Sequence, residues 1–394
     1  MQSRTERNII EAGVKPGEII LAAINTGNFR VKCAMGQAQE HPKVWSDLSA
    51  VCRNGHHVDL GENTNLQQYF MNTKMLFGQD AVQSGALIIP KLQANVRDIY
   101  FQRDAPLRLT PEMETRIWGP IADGLRQLYL GKEQYNLIVG LCVAPKDHHL
   151  REELKHVMEG MKLLAIGNQT MKVNVLKCLV PTETHAGIES QQLRFVAPNQ
   201  PLWQDMETLK QEKKKIAVNC GARTTDVTPF GVRINQIKQT RQFVSMSGGL
   251  SRDYGHWTIF QNGLRDALVK KFSSRIGHLS DWEMLKVLET KQLPGSPAVD
   301  ISEFVLPFYA EQAKSIIEMI DTVREKHPDA SELVLFGGGM HDYANDIINA
   351  PKLQSIAKRY VARTWDDVND KPEDAVNYGI YMLLRMWYDR QYAR

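Results

Sequence analysis

Two short segments, one in each half of the chain, constrain this sequence more than anything else in it. In the first, Ile19-Ile20-Leu21-Ala22-Ala23-Ile24 runs into Asn25-Thr26-Gly27-Asn28 and then into Phe29-Arg30-Val31-Lys32. In the second, Lys215-Ile216-Ala217-Val218 runs into Asn219-Cys220-Gly221-Ala222-Arg223, followed by Thr224-Thr225-Asp226-Val227-Thr228. An apolar run, a small polar turn built on glycine and a second strand-forming run read as a hairpin. Aligned on Asn-x-Gly, the two stand 219 − 25 = 194 positions apart. Matching glycine hairpins suggest a duplicated fold whose halves close on one ligand.

The chain's 394 residues give room for two to four domains of ordinary size. At 43% apolar residues, a large core is available. No apolar run approaches the roughly 18 residues of a spanning helix, so no membrane contact is expected. Residues 1–7 lack the apolar heart of a signal peptide. A net charge of +3 is too small to make nucleic acid the main direct ligand. The five cysteines form no CxxC, and four lie in apolar, strand-like runs, which fits reduced thiols and a cytoplasmic location. His56-His57 and His148-His149 are adjacent pairs without ligand spacing and read as solvated loop residues rather than zinc ligands.

Between the hairpins, residues 37–68 read as polar and irregular, with a turn at Asn54-Gly55-His56-His57, and a short strand is expected near Lys74–Gly78. Thr110-Pro111 opens a helix with the stripe Ile117, Ile121, Leu125, Leu128, in which Gly119-Pro120 suggests a kink. Asn136–Val143 is apolar throughout, as in a strand covered on both faces. A helix capped by Asp147 follows, with the stripe Leu150, Leu154, Val157, Met161, and then the strand Val173–Val180. Strand, helix, strand implies a right-handed parallel crossover. The charge run Gln211–Lys215 reads as a solvated lead-in, with a phosphate-binding cluster as its rival. Later come a helix carrying Trp257, Phe260, Leu264, Leu268 and Phe272, and another over about 308–326. A buried strand then runs into Gly337-Gly338-Gly339-Met340, and a last helix follows Asp374. The pattern is α/β with mixed sheets.

In this order the segments resemble the actin/Hsp70/sugar-kinase superfamily, and within it the bacterial ParM-type plasmid-segregation actins and archaeal-type actin homologues. The two hairpins are similar to its two phosphate loops, and Leu333–Gly339 to its adenosine motif. Val175–Val180 with Pro181-Thr182-Glu183-Thr184-His185-Ala186-Gly187, and Asp374–Gly379, resemble its two connecting segments. Leu76–Ala81 is similar to a further short strand motif. The resemblance implies an actin-like two-domain fold: duplicated RNase H-like domains around a nucleotide cleft. One domain would comprise residues 1–185 plus 365–394, the other residues 186–364. It also implies ATP or GTP with Mg²⁺ as cofactors and head-to-tail self-assembly into filaments. In a segregation role it implies a DNA-binding adaptor on plasmid DNA.

On that resemblance, the nucleotide would be held by Asn25, Thr26, Gly27, Asn28 and Lys32 of the first turn, and by Asn219, Gly221, Ala222, Arg223 and Thr224 of the second. Gly337, Gly338, Gly339 and Met340 would pass close to the purine or ribose. The glycines of the two hairpins are expected to allow positive φ and so to form an anion nest. Two roles stand open for Lys32, a phosphate contact or an exposed strand residue. Arg223 is read either as a phosphate partner or as a solvent-facing tip residue. The three glycines read as a ligand approach or as a plain strand-to-helix turn.

The sequence departs from the family in having Asn25 and Asn219 where carboxylates usually orient the Mg²⁺ water shell. No direct metal ligand is therefore expected, only water-mediated Mg²⁺ near those residues. The catalytic polar residue expected after Pro181 falls on Thr182 or on Glu183, and only Glu can serve as a base at neutral pH. Asn219 would help to place the attacking water. Slow or absent hydrolysis is the resulting expectation. The alternatives are a sugar-type kinase or a non-filamentous ATPase of the same superfamily, and Asp226, alternating with Thr225 and Val227, reads as a further carboxylate or an exposed strand residue.

Overall fold

The computed structural model describes residues 14–27, 30–38, 40–49, 51–53, 69–71, 73–77, 81, 100–102, 107–129, 131–132, 134–166, 169–191, 193–194, 203–204, 214–235, 240–259, 263–276, 279, 281–360 and 372–392. The expected turn at 54–57 lies outside them, as do Asn28 and Phe260. The chain divides into two units, Met1–Thr208 with Val376–Arg394, and Leu209–Ala375.

The first unit is built on a nine-stranded sheet in the order β3-β2-β1-β7-β9-β8-β5-β6-β4. Its strands are β1 (Ile19–Thr26), β2 (Arg30–Gln37), β3 (Lys43–Leu48), β4 (Val51–Arg53), β5 (Tyr69–Met71), β6 (Thr73–Phe77), β7 (Gln134–Leu141), β8 (Gly160–Ile166) and β9 (Gln169–Leu179). The expected hairpin is present: β1 and β2 pair antiparallel, with Asn25 opposite Lys32. β7 lies parallel to β1 on one side and to β9 on the other, as the crossover requires. Ile19 to Ile24 are all 1% exposed or less, which explains why that run is apolar without alternation.

Helix α1 (Pro111–Leu128) covers this sheet. Thr110 caps it by accepting from the Met113 amide at 3.2 Å, and Pro111 fills the first turn. The helix runs on through Pro120, and Ile117, Ile121 and Leu125 are buried. Helix α2 (Arg151–Met158) follows a 3-10 segment, Pro145–Leu150, that contains Asp147; no side chain caps it. It ends earlier than the hydrophobic stripe predicts. Gly160, at φ 92°, turns the chain into β8, and Met161 stands 54% exposed on that strand. β3 and β4 likewise occupy the described part, up to Arg53, of the segment expected to be irregular. Helix α3 (Glu183–Glu189) and a two-stranded ribbon of β10 (Leu193–Arg194) and β11 (Trp203–Gln204) complete this part of the unit.

The second unit holds a sheet of β14-β13-β12-β18-β19, with β15 pairing on β13. Its strands are β12 (Lys215–Cys220), β13 (Thr225–Asn235), β14 (Thr240–Ser245), β15 (Leu250–Arg252), β18 (Glu332–Phe336) and β19 (Ala357–Tyr360); β16 (Gln292–Leu293) and β17 (Val299–Asp300) form a separate pair. The order repeats that of the first unit. β12 and β13 form an antiparallel hairpin like β1 and β2, and β14 adds antiparallel like β3. β18 then lies parallel to β12 and β19 parallel to β18, as β7 and β9 follow β1. The duplication expected from the two glycine turns is therefore present in the strand topology of each half.

Helices α4 (His256–Ile259), α5 (Arg265–Ile276), α6 (Asp281–Thr290), α7 (Ser302–Lys326) and α8 (Met340–Asn349) follow, and α9 (Ala375–Tyr392) returns the chain to the first unit. Trp257, Leu264 and Leu268 are core residues as expected, but the single helix their spacing predicts is divided into α4 and α5, with Gly263 at φ 115° ahead of α5 and non-helical backbone at Phe272. Gly379 meets α3 so closely that a β-carbon there would lie 1.8 Å from the Ala186 carbonyl oxygen. The two segments expected to be connectors thus cross in direct backbone contact. Among the described residues no helix is long and apolar enough to cross a membrane.

Candidate functional site

Each hairpin ends in a turn that favours glycine, strictly at Gly27 and less so at Gly221, though not for the reason the sequence suggests. Neither Gly27 nor Gly221 has positive φ. A β-carbon on Gly27 would come within 2.7 Å of the Arg30 carbonyl oxygen, and one on Gly221 within 3.2 Å of the Thr224 carbonyl oxygen. The second turn is closed by the Gly221 amide donating to that same oxygen at 2.8 Å. Close approach across a tight turn, not a left-handed backbone, selects the residue here.

The side chains beside the first turn are gathered by sheet register. Asn25 and Lys32 are cross-strand partners, so both project from the same face. Lys32 is only 8% exposed, which removes the reading of it as a solvated strand residue. The Asn25 amide oxygen accepts from the Cys142 thiol at 3.3 Å, just past the end of parallel β7. Thr26 is buried at the strand end.

The second turn repeats this arrangement with different chemistry. Asn219 faces Asp226 across β12 and β13, and both are buried, at 3% and 0% exposure. Asp226 is therefore no surface residue. Thr224 Oγ1 donates to it at 3.5 Å. The tip is braced by the segment after β15. The Trp257 amide donates to the Ala222 carbonyl at 2.8 Å, and Thr258 Oγ1 donates to that of Arg223 at 3.2 Å. Thr225 Oγ1 donates to the Tyr254 carbonyl at 2.8 Å. Arg223 is half-buried and stands 4.0 Å from the Asp253 carboxylate, a loose ion pair at the tip.

The three glycines join this second turn. Gly337 has φ 101°, and a β-carbon there would strike the Cys220 carbonyl oxygen at 2.4 Å and the Asn219 amide oxygen at 2.5 Å. The Gly339 amide donates to the Cys220 carbonyl at 2.8 Å. Gly338 is exposed, with Glu373 beside it. Met340 begins α8 with its side chain fully buried, so only its backbone faces the turn. Beyond, His341 Nε2 lies 3.1 Å from the Glu373 carboxylate and Nδ1 lies 3.2 Å from the Tyr360 hydroxyl.

Two expected contributors lie elsewhere in role or place. Thr182 is the N-cap of α3, its hydroxyl accepting from the His185 amide at 3.1 Å. Glu183 is the first residue of that helix, partly buried, and its amide donates to the Val143 carbonyl at 2.8 Å. Lys215 is buried at the far end of β12 from the turn, paired with Glu332 at 3.1 Å, and Lys214 pairs with Asp329 at 2.6 Å. A six-residue strand spans roughly 17–20 Å, so these lysines do not serve the turn. Among the described residues no group of three or more His, Cys, Asp or Glu is placed to hold a metal ion directly.

One contributor had no sequence signal. Arg116 of α1 is 0% exposed, and its Nη2 donates to the Thr26 carbonyl at 3.2 Å and to the Gly27 carbonyl at 2.5 Å.

No protein-family model and no curated protein sequence matches the chain. Solved structures do. A ParM subunit of a 15-stranded filament from Clostridium botulinum is similar with a TM-score of 0.63 at 14% identity, over 93% of this chain and 99% of that one. ParM from Bacillus thuringiensis with ATP gives a TM-score of 0.62 at 10% identity, over 94% and 99%. An archaeal actin homolog gives a TM-score of 0.60 at 14% identity, over 94% and 99%. The fold is the actin-like one along nearly the whole chain.

Proposed function

We propose that this chain is a nucleotide-dependent, filament-forming actin-like protein that binds ATP or GTP with Mg²⁺ through both glycine hairpins. The observation that carries the reading is the repetition. Each half ends its central hairpin in a glycine-closed turn with a polar cross-strand pair directly beside it: half-buried Asn25 with buried Lys32, and buried Asn219 with buried Asp226. Polar side chains drawn into a strand pair must be held there by partners, and here such pairs recur at matching positions in both halves.

The residues suit a nucleoside triphosphate with a hydrated cation. The first turn is where a backbone amide can meet an anion, since in the second the Gly221 amide is already bonded to the Thr224 carbonyl. Lys32 supplies positive charge, and Asp226 supplies the anionic oxygen that Asn219 lacks for the water shell of a hard divalent ion. Gly337 lets the strand-to-helix turn lie directly against the Cys220 carbonyl, and the exposed Gly338 admits close approach of a flat ring or sugar. With Thr182 occupied as a cap, Glu183 and Asp226 remain as candidate bases, and slow turnover follows from the two asparagines. Assembly into filaments is supported by the likeness to a ParM filament subunit, and a role in segregating DNA through an adaptor rests on the family resemblance of the sequence motifs.

Light scattering and negative-stain images of the purified protein with Mg²⁺ and ATP, with Mg²⁺ and GTP, and with neither nucleotide test this. Scattering and filaments that depend on one of the nucleotides are expected. A protein that stays monomeric in all three conditions refutes the filament reading. A second reading, a sugar-type kinase, gains from the buried Asp226, a carboxylate of the kind that accepts a hydroxyl proton; transfer of phosphate to a sugar by a monomer would establish it instead.

A further inference from the structure

A charged side chain supports the first hairpin from inside the protein. Arg116 lies within α1, fully buried. Its Nη2 converges on the carbonyl oxygens of Thr26 and Gly27 and on Ser49 Oγ, and the Ser49 hydroxyl in turn donates to the Gly27 carbonyl at 2.7 Å. Its Nε and Nη1 are buried with no hydrogen-bond partner among the described residues. Burial lowers its pKa from the usual guanidinium range to about 10, which leaves the group charged at neutral pH.

A guanidinium buried with two of its nitrogens unpaired costs several kcal/mol. A helix position needing only to fill space would be better served by Leu or Met. The carbonyls it holds belong to the turn itself. In a planar trans peptide the carbonyl and the N–H point in opposite directions. Fixing the Thr26 carbonyl on the guanidinium therefore aims the Gly27 amide away from it.

We propose that Arg116 is a positioning residue for the first phosphate turn, pinning its carbonyls inward so that its amides are set for an anion and adding a weakly screened positive charge beneath it. Preset donors cost no reorganisation when the ligand arrives, and charge acts more strongly in a dry interior than in water. This inference rests on the nucleotide reading above for its ligand, but not for its effect on the turn.

The test compares the wild type with Arg116→Met, Arg116→Lys and Ser49→Ala. Affinities for Mg·ATP and for adenosine come from displacement of a fluorescent nucleotide, and hydrogen exchange is followed peptide by peptide. In Arg116→Met, ATP is expected to bind at least tenfold more weakly while adenosine, which has no phosphate, changes less than twofold. Exchange should quicken over residues 19–37 and stay unchanged over 215–235. Arg116→Lys, which keeps the charge but not the fork, should fall between. Equal loss of ATP and adenosine binding, unchanged ATP binding, or exchange quickened throughout the chain would overturn the proposal. Should Arg116→Met not fold, Arg116→Lys and Ser49→Ala must show the same selective pattern at smaller size. If the wild type binds neither ATP nor GTP, the nucleotide reading fails on its own, and the exchange contrast between the two hairpins still decides whether Arg116 governs the turn.

Discussion

At the scale of residues, the two hairpins differ most at one pair of equivalent positions. Seven residues after each asparagine stands its cross-strand partner, Lys32 in one half and Asp226 in the other. A duplicated backbone thus carries opposite charges beside its two turns, one suited to phosphate and one to a hydrated cation. This makes the asparagines intelligible. A carboxylate at 219 would face the buried Asp226 directly, and like charges opposed across a strand pair repel. Asn219→Asp is accordingly expected to destabilise the nucleotide-free protein by on the order of 1–3 kcal/mol. Saturating Mg²⁺ and nucleotide should return part of that loss by neutralising the pair. Thermal unfolding with and without Mg·nucleotide measures both effects. A variant as stable as the wild type without ligand would show that Asp226 does not present its charge to position 219.

At the scale of elements, the helix α3 decides what the segment after Pro181 can do. As N-cap, Thr182 has its oxygen engaged by the His185 amide, and its hydroxyl lies 3.3 Å from Thr184 Oγ1. Thr182→Ala is expected to cost about 1 kcal/mol of stability, and Thr182→Ser to restore most of it. Phosphate release per folded molecule should stay the same in both. A selective fall in turnover at unchanged stability would make Thr182 part of the chemistry after all. The elements that sequence revealed are those whose surroundings leave no choice of pattern. β1, β7, β12 and β18 are covered on both faces, so their apolar runs are continuous. β8 was hidden because Met161, 54% exposed on the strand, continues the helical spacing of Leu154 and Val157. The helix ends where Glu159 turns extended, at ψ 151°, and Gly160 follows with positive φ; neither angle is stated by a row of letters. The turn glycines were legible as turns, but the contacts that require them, at Arg30 and Thr224, are made in three dimensions. Arg116 was illegible for a similar reason. On a helix whose stripe is Ile117, Ile121 and Leu125, an arginine reads as the wet face until Ser49 and the turn carbonyls are seen around it.

At the scale of the whole molecule, the repeated strand order raises the question of whether the two turns serve one ligand or act separately. Each lies in its own unit with its own sheet, so substitutions in one should not disturb the folding of the other. For Lys32→Ala and Asp226→Asn, losses of thermal stability without nucleotide are therefore expected to add within about 0.5 kcal/mol. Nucleotide raises stability by RT ln(1 + [L]/Kd), about 2.7 kcal/mol at a hundredfold excess over Kd. If one triphosphate and its cation need both turns, either variant alone should remove most of that increment, and the double variant little more. If each unit bound a ligand independently, each single variant would remove only its own share, and the shares would sum. A double-mutant cycle on the nucleotide-induced shift in unfolding therefore separates the two cases. Non-additive loss, accompanied by loss of nucleotide-dependent scattering in each single variant, is the expected outcome. Additive loss would mean that the duplication is ancestry without joint function.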